Sequence, residues 1–163
     1  MVETTGGFKS ADLAREWTTL ALPSFDLADA VELGEIAKRI GLDHKYPIAI
    51  EIRIGDWIVF HVSLPGAQPE NDNWIARKAR VVLKTGKSSM HERVRCEEAG
   101  TDWYTEQGVS ETDYAIHGGG LPITTKGGIL AGILLISGLP QVEDHLLGVE
   151  VLTEFLARRG ETN

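Results

Sequence analysis

The sequence predicts an α+β domain in which a single antiparallel β-sheet is flanked by α-helices. Three patterns predict this class. Apolar residues alternate over 48–54 before a Gly-Asp turn, a second apolar run covers 129–136 after a glycine turn, and amphipathic helical patterns surround both segments. Short turns between strands favour antiparallel pairing, and a sheet with apolar faces needs helices to cover it.

The N-terminal part is predicted to be an arm followed by the first helix of the domain. Residues 1–22 show little regular pattern, so we expect an N-terminal arm with one short helix, and a single domain over 23–163. Asp26 is a good N-cap residue for the first helix, and Gly41 is expected to end it. Gly34 lies inside this helix, where a glycine is unfavourable, and it predicts a close packing contact.

A β-hairpin is the clearest local signal. The strand over 48–54 is followed by a two-residue turn, Gly55-Asp56, and by a return strand over 57–63. A two-residue turn sets the register of the paired strands. The predicted pairs are Ile54 with Trp57, Arg53 with Ile58, Ile52 with Val59, Glu51 with Phe60 and Ile50 with His61.

Two helices are predicted after this hairpin. Residues 64–71 contain prolines and a glycine and indicate a loop, after which Asp72 is expected to cap a helix over 73–85. A further short helix is expected over 88–98, with a serine as its cap. Residues 100–108 indicate a loop.

The C-terminal third is predicted to contain strands and then a long helix. We expect a short strand over 112–117, a glycine bend, a strand over 121–125 and a central strand over 129–136, which is apolar on both faces. The helix over 141–159 has an apolar arc wider than one sheet face requires, which predicts burial against a second surface such as another subunit. The resulting arrangement is profilin-like.

Composition excludes several classes of protein. Sixteen basic and 24 acidic residues give a net charge of −8, which disfavours nonspecific nucleic-acid binding because phosphates would be repelled. Cys96 is the lone cysteine, so no intramolecular disulfide is expected, and its role stays open. No apolar run is long enough to span a membrane, and the N-terminus lacks the pattern of a secretory signal. These features predict a cytoplasmic protein.

Two histidines are candidate ligand-binding residues. His117 ends a predicted strand beside three glycines, and His145 lies in the first turn of the last helix. A histidine that binds a metal or haem iron needs a neutral imidazole nitrogen and an orienting partner. Asp144 points about 100° away from His145 on a helix, so it is not an obvious partner. A structural role for these histidines is the alternative.

A basic stripe is the second candidate. Arg77, Arg80 and Lys84 recur at helical spacing, and arginines of this kind bind carboxylates or phosphates. The alternative is a solvated helix face or a set of ion pairs. Trp74 beside this stripe is either a flat stacking surface or a core residue. Cys96 next to Arg95 is a weak candidate nucleophile.

Taken together, several segments resemble one family. Their order along the chain resembles the GlcG/HbpS-like superfamily, which is named for a haem-degrading domain, and in particular a bacterial and fungal branch of it. The likeness spans residues 45–157. Leu121 stands where that branch usually has an aromatic residue, and Gly120 stands where it usually has alanine. The matching segments are Asp72-Asn73-Trp74-Ile75 with Arg77-Lys78, Ser88-Ser89, Gly118-Gly119-Gly120-Leu121-Pro122-Ile123, Ser137-Gly138-Leu139-Pro140-Gln141 and Asp144-His145.

The resemblance implies an antiparallel sheet with flanking helices, homo-oligomers from dimers upward, and haem or iron binding in some members. The favoured hypothesis is a cytoplasmic homo-oligomer that binds a small anionic ligand, such as a tetrapyrrole. A haem-degrading or redox enzyme is the second hypothesis, and a structural or adaptor oligomer is the third. Catalytic residues and metal ligands are left open. The expected ligand-binding residues are His117, Gly118, Gly119, Gly120, Pro122, Ser137, Gly138, Asp144, His145, Arg77 and Arg80.

Overall fold

The computed structural model describes residues 2–160 and has the predicted α+β architecture. Within this range one sheet contains four antiparallel strands in the order β2-β1-β4-β3. The last three residues of the expected domain, 161–163, and Met1 of the expected arm lie outside the described residues. The strands are β1 (Ala49–Ile54), β2 (Trp57–Ser63), β3 (Gly120–Thr125) and β4 (Ile129–Ser137). The helices are α1 (Ser10–Thr19), α2 (Leu27–Asp43), α3 (Pro69–Thr85), α4 (Ser89–Ala99), α5 (Trp103–Gln107) and α6 (Gln141–Gly160), and a 3₁₀ turn covers Thr5–Gly7.

Strand β4 is central and covered on both faces, as its apolar sequence predicts. Leu134 and Ile136 belong to the core that α2 and α6 share with one face of the sheet. Ile133 and Leu135 pack on the opposite face with α3 residues. The sheet therefore lies between two helical layers.

Helix α2 begins as predicted and ends later than predicted. Asp26 caps it through a reciprocal pair of hydrogen bonds with Asp29. Gly34 makes the expected close contact, because a Cβ there would be 2.5 Å from the Phe60 ring. Gly41 does not end the helix. It lies against Leu64 and keeps the helix close to the first hairpin, and the helix continues to Asp43.

The first hairpin has the predicted turn, but its register changes after two pairs. Ile54 opposes Trp57 and Arg53 opposes Ile58, and then an irregularity between Ile52 and Arg53 shifts the pairing by one residue. Such a bulge inserts one unpaired residue into a strand. Ile52 therefore opposes Phe60 instead of Val59, Glu51 opposes His61 instead of Phe60, and Ile50 opposes Val62 instead of His61.

Helix α3 begins four residues before the predicted start. Pro69 occupies the first turn, and Gln68 is the N-cap in a capping box with Asn71. Asp72 therefore lies inside the helix instead of capping it. Helix α5 occupies part of the segment predicted to be a loop, with Asp102 as its cap.

Residues 112–117 do not form the predicted strand. The Asp113 N–H donates to Ser110 in a turn, and the Ala115 N–H donates to the carbonyl oxygen of Arg77 in α3. The Ile116 N–H donates to the Tyr104 hydroxyl. Because these groups find partners in a turn, a helix and a side chain, no neighbouring strand is needed to satisfy them.

The N-terminal arm is packed on the rest of the chain. Leu13 of α1 is buried with Met90 and Val94 of α4, and Phe8 and Val142 pack beside them. Helix α6 also packs against α2. The second surface expected for the wide apolar arc of α6 is therefore supplied, at least in part, by the same chain.

Candidate functional site

A pocket of about 240 Å³ opens beside α3, where the segment 117–119 meets the corner between β4 and α6. It brings together four of the predicted residues: His117, Ser137, Gly138 and Asp144. The remaining lining residues are Asn71, Trp74, Lys78, Leu139 and Gln141.

A buried ion pair lies on one side of this pocket. Lys78 Nζ is 3.3 Å from Asp144 Oδ2 and donates a hydrogen bond of 2.9 Å to the carbonyl oxygen of Ile136. Asp144 Oδ1 accepts a hydrogen bond of 3.0 Å from the Leu139 N–H. The pair thus ties α3 to the β4–α6 corner and fixes both charged groups beside the pocket.

Burial opposes the charge on both members of the pair. It raises the pKa of Asp144 to about 6, although Lys78 and the backbone N–H groups of Leu139 and Gly138 act in the opposite direction. Burial also lowers the pKa of Lys78, against the attraction of Asp144. Proton transfer at this pair is therefore easier than between two exposed groups.

The glycine run lies directly over the ion pair. Gly119 has a φ of +121°, and a Cβ there would be 2.7 Å from Lys78 Nζ and would collide with the carbonyl oxygen of Ile136. A Cβ on Gly118 would be 2.6 Å from Met90 and would also meet Gln141. The two glycines therefore permit a close approach of the backbone to Lys78 and to the start of α6.

Arginines from α3 and α4 hold the segment that carries His117. Arg77, Arg80 and Arg93 donate to the carbonyl oxygens of Glu111, Asp113 and Ile116. The basic stripe is thus largely used to fix this segment, which places His117 against Trp74 with ring centroids 4.6 Å apart. Arg77 also stacks on the same indole, 4.3 Å from the ring centroid.

His117 is held in its neutral form. Burial, together with the positive charges of Arg93, Lys78 and Arg77, lowers the pKa of His117 to about 4. Among residues 2–160 its Nδ1 atom has no hydrogen-bond partner. His117 also lines a second pocket of about 300 Å³, on the side of Cys96 and Trp103.

The other predicted residues lie outside the first pocket. His145 is fully buried, its Nε2 is 2.8 Å from Glu16 of the arm, and its ring contacts Phe8 edge-on. Pro122 lies on the edge strand β3. The Gly120 N–H donates to the Ser89 hydroxyl, so this glycine joins β3 to α4. Asp144 pairs with Lys78, whereas His145 pairs with Glu16. This agrees with the expectation that neighbouring side chains on a helix point in different directions.

The sequence-based reading missed Lys78 as a site residue. Lys78 lies on the inward face of α3 with Ile75 and Val82, at the helical spacing of buried residues. The sequence did contain a signal for this role, namely a lysine at a position that helical spacing places among the apolar residues of α3. Trp74 contacts both His117 and Arg77, which agrees with its interpretation as a stacking surface instead of a core residue.

The candidate metal ligands and the cysteine are the remaining reactive groups of the chain. Within residues 2–160 no cluster of three or more acidic, histidine or cysteine side chains is placed to hold a metal ion. Cys96 is buried, and burial raises the pKa of its thiol, which disfavours the reactive thiolate. Over the same range no helix combines the length and the apolar character that crossing a membrane requires.

The fold and the pocket define a small α+β domain with a polar pocket beside the central strand. The chain belongs to the family described as haem degrading protein HbpS-like, which it matches over residues 25–153. It is 40% identical to a UPF0303 protein of Streptomyces avermitilis over 147 residues, which cover 90% of each chain. It is 36% identical to a UPF0303 protein of Rhizobium johnstonii over 150 residues, 92% of each chain. The resemblance inferred from the sequence is thereby confirmed.

Solved structures share the fold. The Ybr137w protein superposes with a TM-score of 0.83 at 28% identity, covering 92% of this chain and 88% of that one. PduOC, solved as a complex with haem, has a TM-score of 0.68 at 18% identity and covers 80% and 94% of the two chains. HbpS has a TM-score of 0.63 at 15% identity, over 81% and 89%. At these last two identities the likeness concerns the fold.

Proposed function

We propose that this protein binds a small anionic ligand in the pocket beside Lys78 and His117. The observation that carries the proposal is the positive surroundings of His117, whose pKa is lowered to about 4 by burial and by three nearby cations. A ligand carboxylate would reduce this excess of positive charge. It would also offer an acceptor to donors at the pocket.

The pocket supplies groups suited to such a ligand. Trp74, His117 and Lys78 line it, whereas Arg77, whose guanidinium lies over the Trp74 indole, is outside the lining. Asn71 Nδ2 is 3.4 Å from the Ser137 hydroxyl, and both polar groups also line the pocket. A carboxylate near Lys78 and polar atoms near Asn71 would match these charged and hydrogen-bonding groups.

Haem fits this pocket poorly. Clefts that enclose drug-sized ligands measure roughly 300–1,000 Å³, the pocket measures about 240 Å³, and haem is larger than most drugs. The lining also contains a charged pair, Lys78 and Asp144, instead of a flat apolar slot. PduOC binds haem in its solved complex, so haem deserves a direct test here, but we propose a smaller anion.

A titration followed by NMR tests the proposal. Acetate, malonate and succinate would be added to the protein while the imidazole signals of His117 are recorded. Binding of an anion should raise the pKa of His117 from about 4, because the negative charge favours the protonated ring. His44, an exposed histidine, serves as the control signal. Equal shifts of both histidines at all anion concentrations would contradict the proposal.

A haemin titration separates the small anion from haem and also tests the haem-degrading alternative. We expect no Soret shift. A Soret shift in the natural protein that is lost in His117→Ala but kept in His145→Ala would favour haem at this pocket. Turnover of haem with a reductant and catalase present would favour the enzyme.

The proposal also includes a homo-oligomer located in the cytoplasm. Light scattering at micromolar concentration should give a mass above the 17.8 kDa of one chain. A strict monomer would contradict this part and would also remove the basis of a purely structural oligomer. Fluorescence microscopy of a tagged copy checks the location.

A further inference from the structure

Lys78 lies in an unusual place for a lysine. Its side chain is only 3% exposed, yet it lines the pocket. Lysines are seldom buried this deeply, because the ammonium group loses its hydration. Burial therefore lowers the pKa of Lys78 and increases the fraction of neutral amine. A desolvated neutral lysine is a nucleophile towards carbonyl groups.

In the ion pair Lys78 is an ammonium group, and the form that reacts is the neutral amine, which burial makes more populated. Such an amine has two N–H bonds and one lone pair. The carbonyl oxygen of Ile136 at 2.9 Å and Asp144 Oδ2 at 3.3 Å accept from it. Gly119 packs beside Nζ, where a Cβ would be only 2.7 Å away, and Lys78 also lines the pocket, so a ligand reaches Nζ from the pocket side. Two acceptors for two N–H bonds leave the lone pair for a ligand.

We propose that Lys78 forms an imine with a small 2-oxo acid bound in this pocket. The carboxylate of such a compound is the anion of the proposed function, on which this part of the inference rests. Its ketone carbon is the electrophile for Nζ. A pocket of about 240 Å³ has room for a ligand of a few heavy atoms.

Asp144 is placed to move the protons of this reaction. Nζ attacks the carbonyl carbon and forms the C–N bond, and Asp144 takes a proton from Nζ and returns it to the carbonyl oxygen. The second N–H proton follows to the same oxygen, the C–O bond breaks, and water leaves. The amine and the ketone thus give an imine and one water, and no oxidant or reductant is consumed. The pKa of Asp144, about 6, suits a group that accepts and donates protons near neutral pH.

Reductive trapping tests the inference. The protein would be incubated with pyruvate at pH 7 and treated with sodium borohydride, which reduces an imine to a stable amine. Intact-mass and peptide-mass measurements should find one adduct per chain, located on Lys78. Adducts spread over exposed lysines, or no adduct above that of a reaction without pyruvate, would overturn the inference.

Variants separate a reactive lysine from a structural one. Lys78→Met should abolish trapping, whereas Lys84→Met, on the exposed side of the same helix, should trap as the natural protein does. Asp144→Asn should slow trapping by about 100-fold or more, which is typical of a lost general acid–base group. If Lys78→Met does not fold, two results still test the inference. They are the position of the adduct in the natural protein and the rate of trapping in Asp144→Asn. An unchanged rate in a folded Asp144→Asn would remove the assigned role of Asp144.

The titration with acetate distinguishes failure of this inference from failure of the proposed function. If acetate raises the pKa of His117 but pyruvate is not trapped, the anion site stands and the imine is wrong. If neither occurs, both proposals are wrong. Trapping on Lys78 without any effect of acetate would support the reactive lysine and contradict the anion site.

Discussion

Lys78 and Asp144 place two opposite charges in almost fully buried positions at the edge of the pocket. Removing one partner of a buried ion pair leaves the other uncompensated and typically costs about 3–5 kcal/mol. We expect Lys78→Met to lower the free energy of unfolding by about 3 kcal/mol, and the double change Lys78→Met with Asp144→Leu to recover most of this loss. Urea denaturation measures both.

A surface ion pair provides the control for this prediction. Lys38 and Glu35 are 2.9 Å apart on the exposed side of α2. Lys38→Met should cost no more than about 1 kcal/mol, as is usual for exposed pairs. Equal costs for Lys38→Met and Lys78→Met would show that the buried pair makes no special contribution to stability.

His117 and Asp144 should affect the pH dependence of stability with opposite signs. The pKa of His117 is lowered from 6.5 to about 4, so between these values the unfolded chain binds the proton and the folded one does not. Stability is therefore lost as the pH falls through this window. The pKa of Asp144 is raised from 3.8 to about 6, so the folded state binds the extra proton and its contribution grows as the pH falls.

Two substitutions separate these contributions. His117→Gln should flatten the loss of unfolding free energy between pH 6.5 and about 4, and Asp144→Asn should make this loss steeper. Urea denaturation at a series of pH values measures the slopes. Parallel curves for His117→Gln and the natural protein would show that the pKa of His117 is the same in the folded and unfolded states, and would contradict the prediction.

For single residues, the sequence predicted which residues lie near the pocket better than it predicted what each of them contacts there. His117, Ser137, Gly138 and Asp144, which the sequence places in loops near the sheet end and at the start of the last helix, line one pocket, and their role as ligand-binding residues stays a prediction. The role of Lys78 depends on Asp144, 66 positions along the chain, and on burial that only the folded chain defines. A pattern of local spacing does not contain such a distant pairing.

Among the elements, the glycine corner before β3 is the one on which the pocket depends most directly. Gly119 has a φ of +121°, and a Cβ there would meet both Lys78 Nζ and the carbonyl oxygen of Ile136. Gly127, in the turn between β3 and β4, also has a positive φ, of +97°, but a Cβ there would meet nothing within 4 Å. Alanine would therefore introduce backbone strain at either position, but only at position 119 would its Cβ also collide with neighbouring atoms.

Alanine at each position should separate these two effects. A non-glycine residue at such dihedral angles costs of order 1–3 kcal/mol, so Gly127→Ala should fall in that range. Gly119→Ala should cost at least about 1 kcal/mol more, because overpacking adds to the strain. Urea denaturation gives the difference, and NMR should show a shift of the His117 signals in Gly119→Ala. Equal costs would mean that the corner is not closely packed on Lys78.

The sequence predicted elements where the signal was local. The hairpin turn, the cap of α2 and the doubly covered β4 all follow from neighbouring residues. The bulge was missed because the two-residue turn alone does not reveal it: Val59 is the extra residue, and Val59 and Phe60 both pack against the core, which breaks the alternation of β2. The segment over 112–117 was misread because its hydrogen-bond partners, in α3 and at Tyr104, are distant in sequence.

At the scale of the whole molecule, the contacts between the N-terminal arm and the rest of the chain are the feature that the sequence predicted least well. Residues of the arm reach three sites. The Thr5 N–H donates to Glu97 at 2.9 Å, Glu16 pairs with His145 at 2.8 Å, and Leu13 is buried against α4. These contacts join the arm to α4 and α6, although it was predicted as a separate segment.

Truncation of Leu13 tests whether the arm belongs to the cooperative fold. Leu13→Ala removes a side chain that is 1% exposed and should lower the free energy of unfolding by about 2–5 kcal/mol. Leu27→Ala, at a position that is 49% exposed, is the matched control and should cost within about 0.5 kcal/mol. Urea denaturation gives both values, and fluorescence of the four tryptophans should report one transition. If Leu13→Ala matched its control, the arm would be an appendage that unfolds without loss to the domain, and His145 would keep its place without Glu16.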